Sequence, residues 1–419
     1  MNKYDFSKKN YLTHKNQNKS FIISLAFCLY LLFQYFNLAY LPELKARATG
    51  FRLLGIDLST NIISLLSIVM ILVIGCAIWL LFQIFIERMK KEEVILMLGG
   101  ANIDKISQYI FYQILQLFKI AVPQGFAFFV VINPLFILLL NVFLKLRMPL
   151  FHFSGEMISL VLISFVCIII GLLLATMGFV YRTSLINVLN EMNTTNKDLP
   201  ISELKFPSFI YFILFIILGY LLVNSKETKA ILMIGAISSL VYYKMLNTFC
   251  FKCLERYRKK QFDSFKKIEL SFMSRDIIIH SKALSIQLFA LVFFSQLIYT
   301  SFKYQALVIV FSYTFFVVMV LSIFLLNLTE KKNHHFWMGQ YKHLHELGYG
   351  LKEIKKMINH EINHAYFTHV VFALFYGICL FSQVKYYSIY LIVVMVVYFI
   401  SYFMSLKLRL RIIDELGGE

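Results

Sequence analysis

Charge is scarce in this sequence. Only 15% of its 419 residues are Asp, Glu, Lys or Arg, and 59% are hydrophobic; a water-soluble globule is apolar over only about 45–50% of its length. That excludes a soluble enzyme or binding module. No stretch matches G-x-x-x-x-G-K-[ST], so the chain has no phosphate-cradling loop, and any dependence on ATP belongs to another subunit. Of the six Cys, Cys28, Cys76, Cys167 and Cys379 lie inside apolar runs and Cys250 and Cys253 lie in a basic segment, which excludes a disulfide framework. Within the apolar runs almost no ionisable residue appears apart from Lys119, so a proton- or ion-driven carrier with a midplane acidic relay finds little support. Lys119 stands near one end of its run, where a lysine snorkels to the head groups. The first run is too long for a cleaved signal peptide and lacks a small-residue cleavage site, so it is expected to stay as an anchor.

The chain does have long apolar runs. A helix crossing the hydrocarbon needs about 20 of them in a row, because its backbone polar groups must be satisfied internally. Ten runs approach that length: 21–40, 61–86, 114–144, 157–181, 209–223, 230–243, 284–300, 306–328, 365–381 and 387–406, of which the fifth, sixth and ninth are short. With the N-terminus inside, most of the 41 Lys and Arg fall on the cytoplasmic side, which satisfies the positive-inside rule and puts both termini in the cytoplasm. The net charge of +18 then reflects topology and contact with anionic head groups; nucleic acid is not an expected partner. External loops are short. The longest runs from Leu41 to Thr60, and the loop after the seventh run is little more than Ser301 to Gln305. Pro123 and Pro134 lie in the long third run, where each removes a backbone donor and invites a kink.

Two polar stretches read as one element written twice. LMLGGANIDKI places Leu96, Gly100 and Ile106, and LHELGYGLKEI places Leu344, Gly348 and Ile354, each 248 positions further on. After each come two apolar runs and a basic amphipathic exit: Arg182, Leu185, Ile186, Asn187 and Leu189, then Arg409, Ile412, Ile413, Asp414 and Leu416. Each half is thus one run, an external loop, a second run, the polar helix, and two more runs. Two further runs separate the halves and preserve parity, so the halves are parallel repeats and both polar helices face the cytoplasm. The expected fold is an all-α polytopic membrane protein of about ten transmembrane helices, in two parallel four-helix repeats plus two intervening helices. Its expected divisions are a first half at 1–206 with a polar helix at about 88–107, two linking spans at 207–246, a basic cytoplasmic loop at 247–283, and a second half at 284–419 with a polar helix at about 336–357.

A Gly costs ~1 kcal/mol inside a helix but suits a helix end or a close backbone approach, so Gly100 and Gly348 fit a bend docked against a partner. Leu96 and Ile106, and Leu344 and Ile354, are expected to fill pockets while Lys105, Lys352 and Glu353 make rim contacts; the alternative is an interfacial helix lying on lipid.

These residues resemble the coupling helix of the FtsX-like (MacB-type) ABC permeases, whose pattern is close to R-x-K-E-x-x-x-L-x-x-L-G-A-S-x-x-D-I. The first copy reads Arg88, Lys90, Lys91, Glu92, Glu93, Leu96, Gly100, Ala101, Asn102, Ile103, Asp104, Lys105 and Ile106; the second reads Tyr341, Leu344, Leu347, Gly348, Tyr349, Gly350, Leu351, Lys352, Glu353 and Ile354. In topology the chain resembles the BceB-type permeases, which defend Gram-positive bacteria against peptide antibiotics, but it lacks their large external domain between the seventh and eighth spans. The resemblance implies a permease in the bacterial cell membrane, without cofactor or catalytic residues. It also implies a cytoplasmic ATPase dimer engaged through Glu93, Leu96, Gly100, Asp104, Lys105, Ile106, Leu344, Gly348, Lys352, Glu353 and Ile354. A peptide or other amphipathic substrate, resistance to antimicrobial peptides or immunity to a bacteriocin, and a sensor kinase as further partner belong to the same implication. A non-transporting role, in which ATPase motion is relayed to a signalling partner, stays open beside it.

One motif points elsewhere. His360, Glu361 and His364 form H-E-x-x-H, which on a helix can set two imidazoles on one face for zinc with the Glu as general base. A membrane zinc metalloprotease would need a third ligand, for which His369 is the nearby choice. The other reading is a set of titrating interfacial histidines, since His334, His335, His343 and His345 lie just upstream. Cys250 and Cys253 form a solitary C-x-x-C without the second pair that zinc would need.

Overall fold

The computed structural model describes residues 15–47, 52–53, 56–57, 62–145, 147–151, 154–182, 208–225, 228–381 and 387–417. These residues form helices, with one two-residue antiparallel ladder in which Arg52 pairs with Asp57 and Leu53 with Ile56. The chain is an all-α polytopic membrane protein. In order the helices are α1 (Lys15–Ala39), α2 (Pro42–Arg47), α3 (Ile62–Leu98), α4 (Ile103–Leu144), α5 (Gly155–Arg182), α6 (Ser208–Asn224), α7 (Thr228–Met245), α8 (Phe251–Lys260), α9 (Ser264–Thr300), α10 (Gln305–Glu346), α11 (Leu351–Phe381) and α12 (Tyr387–Gly417).

Each of the ten apolar runs falls on a helix. Among the described residues six helices are long and apolar enough to cross a bilayer: Phe21–Ala39, Ile62–Ile86, Ile103–Leu144, Gly155–Gly178, Gln305–Asn327 and Leu391–Gly417. A seventh arises if Ser264–Ser281 and Ser285–Thr300, bent by 41°, act as one. The three runs noted as short are the ones that fall out. α6 has 17 residues, α7 carries Lys244 in its last turn, and α11 opens on the polar stretch Lys352 to His364. Several helices also overshoot the hydrocarbon. α4 and α10, at 42 residues each, are about 63 Å long, twice the ~30 Å that a bilayer core requires.

The chain divides into two compact units, Met1–Lys197 with Tyr304–Ala306, and Asp198–Lys303 with Leu307–Glu419. α6 and α7, expected as linkers between halves, pack within the second unit, α7 against α9. The segment 247–283, expected as a basic loop, is helical: α7 passes through a π-helical turn at Leu246–Cys250 into α8, the chain reverses at 261–263, and α9 begins where Asp263 caps the Phe265 N–H at 2.9 Å. An acceptor side chain at the N-cap is what a polar, Lys-rich segment needs to start a helix. The exit residues Leu185, Ile186, Asn187 and Leu189 lie outside the described residues.

In the first unit α1 is the central helix; 89% of its apolar window is buried, against 17% for α5. Phe21 meets Phe82 and Phe85, and Phe33 meets Phe126, Phe129 and Phe165, at 5.3–5.9 Å between ring centroids. Asn37 donates to Asn133 Oδ1 at 2.9 Å, and Asn133 donates onward to the Leu150 carbonyl at 3.0 Å. α4 remains one helix through Pro123 and Pro134. Its approach to α1 is closest at Gly125, where a Cβ would stand 2.8 Å from the Ala26 carbonyl oxygen and 2.9 Å from Leu29 Cβ. Because backbone cannot step aside as a side chain can, Gly125→Val is expected to cost about 1–3 kcal/mol through overpacking. Gly171→Val, where a Cβ meets nothing within 4 Å, serves as control. Thermal stability of the detergent-solubilised chain checks this, and equal melting of the two variants would refute it.

The second unit has a core beyond its apolar segments. Phe272 on α9, Trp337, Tyr341 and Leu344 on α10, Ile354, Met357, Ile358, Ile362 and Tyr366 on α11, and Ile412, Ile413 and Leu416 on α12 form one buried cluster. The polar extensions of four long helices are thereby held as a small bundle.

Candidate functional site

The two polar elements share one backbone design. α3 ends with Gly100 at φ +77°, and α10 ends with Gly348 at φ +97°, the left-handed region that favours glycine. The Gly100 N–H donates to the Met97 carbonyl and the Ala101 N–H to that of Leu96, each at 3.0 Å. In the second copy the Gly348 N–H donates to His345 at 3.0 Å and the Tyr349 N–H to Leu344 at 3.2 Å. This is the Schellman termination, which satisfies carbonyls that a helix end leaves open. The next helix starts in the same register. Lys105 and Ile106 N–H groups reach the Asn102 carbonyl, as Glu353 and Ile354 reach that of Gly350. Caps differ in chemistry: Asn102 Oδ1 accepts from the Ile103 N–H at 3.1 Å, whereas the Gly350 N–H donates to Glu353 Oε2 at 3.0 Å. Asp104 and Glu353 both lie in a first helical turn, where a carboxylate complements the helix dipole.

Each expected polar helix is therefore two helix ends joined by a tight glycine turn, not one helix. The placement of the apolar residues corrects their expected role. Ile106, Leu344 and Ile354 are buried and Leu96 is half-buried, so they anchor the turns to their own units and do not reach a partner's pockets. Exposed apolar surface comes from Ile95, Leu98 and Ile103 in the first copy and Leu347 in the second. Gly100, Asp104, Lys105, Gly348, Lys352 and Glu353 are exposed; the Glu93 side chain lies outside the described residues. Beside the first turn, Asp104, Ser107, Gln108, Phe111, Leu173, Thr176 and Met177 line an open cavity of about 290 Å³.

Behind the second turn lies a buried charge cluster that the sequence reading did not find. Arg409 on α12 donates to three carboxylates on three other helices. Its Nη1 reaches Asp276 Oδ2 and Glu361 Oε1 at 2.7 Å, its Nη2 reaches Asp276 Oδ1 as well as Glu330 Oε1 at 3.0 Å, and its Nε reaches Glu330 Oε2 at 3.2 Å. The Trp337 ring lies 4.0 Å from the guanidinium carbon, a cation–π contact. His280 Nε2 sits 2.7 Å from Glu330 Oε1, and the Tyr341 hydroxyl donates to Glu361 Oε2 at 3.4 Å. In the first unit the position 248 residues before Glu361 is Gln113, which donates to the Tyr109 hydroxyl at 3.2 Å, and Tyr109 donates in turn to Glu92 at 2.8 Å. A signal was present in the sequence, since Asp276, Glu330 and Glu361 are acidic positions in strongly basic segments. Nothing local showed that they converge.

The carboxylates behave differently. Burial pushes the Glu330 carboxyl up, but Arg409 and His280 together outweigh it and hold the group at about 2. At Glu361, burial and the neighbouring Asp276 charge push the carboxyl well above its ordinary value, and Arg409 does not offset them. Stability from Glu330 is therefore complete above the ordinary carboxylate range and is lost as pH falls toward about 2. Stability from Glu361 has the opposite sign, being complete in acid and lost as pH rises through its raised folded value. Glu361→Gln, whose amide can donate to Asp276 and accept from Arg409, is expected to stay within about 1 kcal/mol of the parent and to flatten the loss that sets in as pH rises above the ordinary carboxylate range. Glu330→Gln is expected to cost about 2–3 kcal/mol. Melting curves from acidic to alkaline pH check both; equal destabilisation by the two would refute the assignment of the proton to Glu361.

The same geometry bears on H-E-x-x-H. His360 and His364 share an outer face with ring centroids 5.7 Å apart, and His360 Nδ1 is 3.1 Å from Glu269. Glu361 turns inward to Arg409, so it is not aimed at a metal held by those two imidazoles. His369 points elsewhere, its Nδ1 2.9 Å from the Tyr242 hydroxyl inside the unit. Among the described residues no three of His, Cys, Asp and Glu are placed to hold a metal ion. His334 stands 3.6 Å from Glu415 and His343 3.7 Å from Glu346; the His335 side chain is outside the described residues. Cys250 and Cys253 are free thiols, and burial pushes Cys250 up to about 12, which disfavours the thiolate that metal or redox chemistry uses.

No protein-family model and no curated protein matches the chain. Fold and site define the class: a polytopic helical membrane protein with two compact units, each presenting a helix, a glycine turn and a second helix.

Proposed function

We propose that the chain is the permease subunit of a bacterial ABC transporter, driven by a separate ATPase dimer whose subunits each dock on one glycine turn. The observation that carries this reading is the identity of the two turns, from the Schellman hydrogen bonds through Gly100 and Gly348 to the helix starts at Asn102 and Gly350. Two exposed turns of the same backbone geometry suit a partner that is itself twofold, since repeated surfaces bind repeated surfaces. Each turn is tied to its unit by buried Ile106, or by Leu344 and Ile354, so force applied to it is transmitted to the long helices. The chain itself carries no P-loop pattern, and in this reading it is not an enzyme.

On the same reading it sits in the bacterial cell membrane with both termini cytoplasmic, and it exports or removes an amphipathic substrate, such as an antimicrobial peptide or bacteriocin. Short external loops and membrane helices nearly free of charge suit a lipid-embedded molecule better than a small polar solute. The test is purification of the tagged full-length chain from its native membrane in mild detergent. Recovery of a P-loop ATPase at about two copies per chain is expected. Its consistent absence, with the chain folded and monodisperse, would overturn the proposal.

A further inference from the structure

The reversal between α8 and α9 brings a second exposed element beside one of the turns. Phe262, at the tip, is 99% exposed. Three residues on, Phe265 packs against Tyr349, which follows Gly348, with 5.7 Å between ring centroids. Phe262 and the 62% exposed Leu347 of the turn therefore belong to one end of the second unit. The tip is basic: Arg258 and Lys259, which pair with Glu255 at 3.8 and 3.4 Å, and Lys260 precede it, and Lys266 and Lys267 follow, with Asp263 between them.

Lipid is not the natural cover for this surface. Along α9, from Ser264 to Leu284, where its apolar run begins, is about 30 Å of helix, with a 41° bend between Ser281 and Ser285. From Asn327, where the apolar part of α10 ends, to Glu346 at the turn is about 30 Å as well. Tip and turn thus stand at similar reach beyond the apolar segments. The apolar side of this part of α9 is also already used, because Phe265, Ile268, Phe272 and Ile279 pack onto the core with α10, α11 and α12. What covers Phe262 must come from beyond the bundle, on the side where the turn is exposed.

We propose that the α8–α9 tip is a second docking element for the same ATPase subunit that engages the Gly348 turn, with Phe262 entering an apolar pocket whose rim is acidic. This rests on the permease reading and adds to it a partner surface that the glycine turns alone do not provide. The basic flanks supply the charge complement, and the Phe265–Tyr349 contact makes tip and turn one continuous surface. It also distinguishes the two docking sites, since among the described residues the first unit has no helical hairpin next to its turn.

The experiment places a photoreactive benzoyl-phenylalanine at position 262 and, in a separate full-length chain, at position 347. Both are irradiated in native membranes, and the captured protein is identified by mass spectrometry. Capture of one and the same P-loop ATPase from both positions is expected. Capture of that ATPase from 347 but only lipid, or nothing, from 262 would overturn the second docking element and leave the permease reading intact. Capture of no ATPase from either would overturn both. In parallel, Phe262→Asp removes no packing within the chain. It is expected to lower the amount of co-purifying ATPase about tenfold, with the melting temperature of the isolated chain unchanged; unchanged ATPase recovery would overturn the proposal.

Discussion

Arg409→Met is expected to destabilise the second unit by about 3–5 kcal/mol, the cost of leaving buried charge uncompensated. An apparent melting temperature lower by about 10 °C is the corresponding readout. The guanidinium is the hub for carboxylates from α9, α10 and α11, and it is buried with all three of them. Removing it leaves Asp276, Glu330 and Glu361 facing one another without water. One proton on Glu361 does not relieve the pair that remains. Arg409→Lys keeps a positive charge but loses the planar fork that serves three partners at once, so an intermediate loss is expected. The decisive comparison is a combined variant in which Arg409→Met is joined by Asp276→Asn, Glu330→Gln and Glu361→Gln. Neutralising the carboxylates should recover more than half of the loss, because most of it is repulsion and desolvation, not lost packing. Arg411→Met, on an exposed position of the same helix, is the control. If Arg409→Met melts with Arg411→Met, the cluster contributes nothing.

The second expected result concerns function with the fold preserved. At Gly348 an added Cβ meets nothing within 4 Å, so a large side chain has room inside the protein itself, although the φ of +97° strains any L residue. Asn tolerates the left-handed region better than other residues. Gly348→Asn is therefore expected to keep both the turn and the partner, whereas Gly348→Trp projects an indole outward and should abolish ATPase retention. Gly348→Trp, which bears more of the left-handed strain than Gly348→Asn, is expected to melt about 2–6 °C lower while remaining folded. Transport or resistance assays in cells, with co-purification, separate the outcomes. Survival of ATPase binding and activity in Gly348→Trp would show that the turn is not a docking surface.

What was legible in the sequence was what local rules govern. Gly100 and Gly348 were read as bends, which matches the left-handed turns observed there, because capping is decided within half a dozen residues; one polar helix was nonetheless expected to run through each. Apolar runs announced where helices lie. They did not announce how far the helices continue: α3, α10 and α12 carry on into polar sequence, so turns expected as separate helices proved to be junctions between long ones. The direction of Ile106, Leu344 and Ile354 was misjudged for the same reason, since an exposed apolar residue and a buried one look alike until the neighbouring helix is in place. The Arg409 cluster was illegible because its members are separated by 48 to 133 positions. Only the packing of four helices brings them together, and Glu361 was hidden behind the zinc motif in which it is embedded.

The burial of α1 has a consequence for how the protein is made. It is synthesised before α4, and it carries Ser24, Gln34 and Asn37 on surface that is buried in the finished unit. The Asn37 amide finds its partner Asn133 only 96 residues later. At about 5–20 residues per second, that is about 5–20 s of synthesis during which the helix waits in the bilayer or beside the insertion machinery with an unmatched amide. Release from the translocon before α4 has emerged would expose the seam that Gly125 is shaped to meet. The first unit is thus assembled around a helix made well before its partner, and slowing elongation between residues 37 and 133 is expected to lower the yield of folded protein.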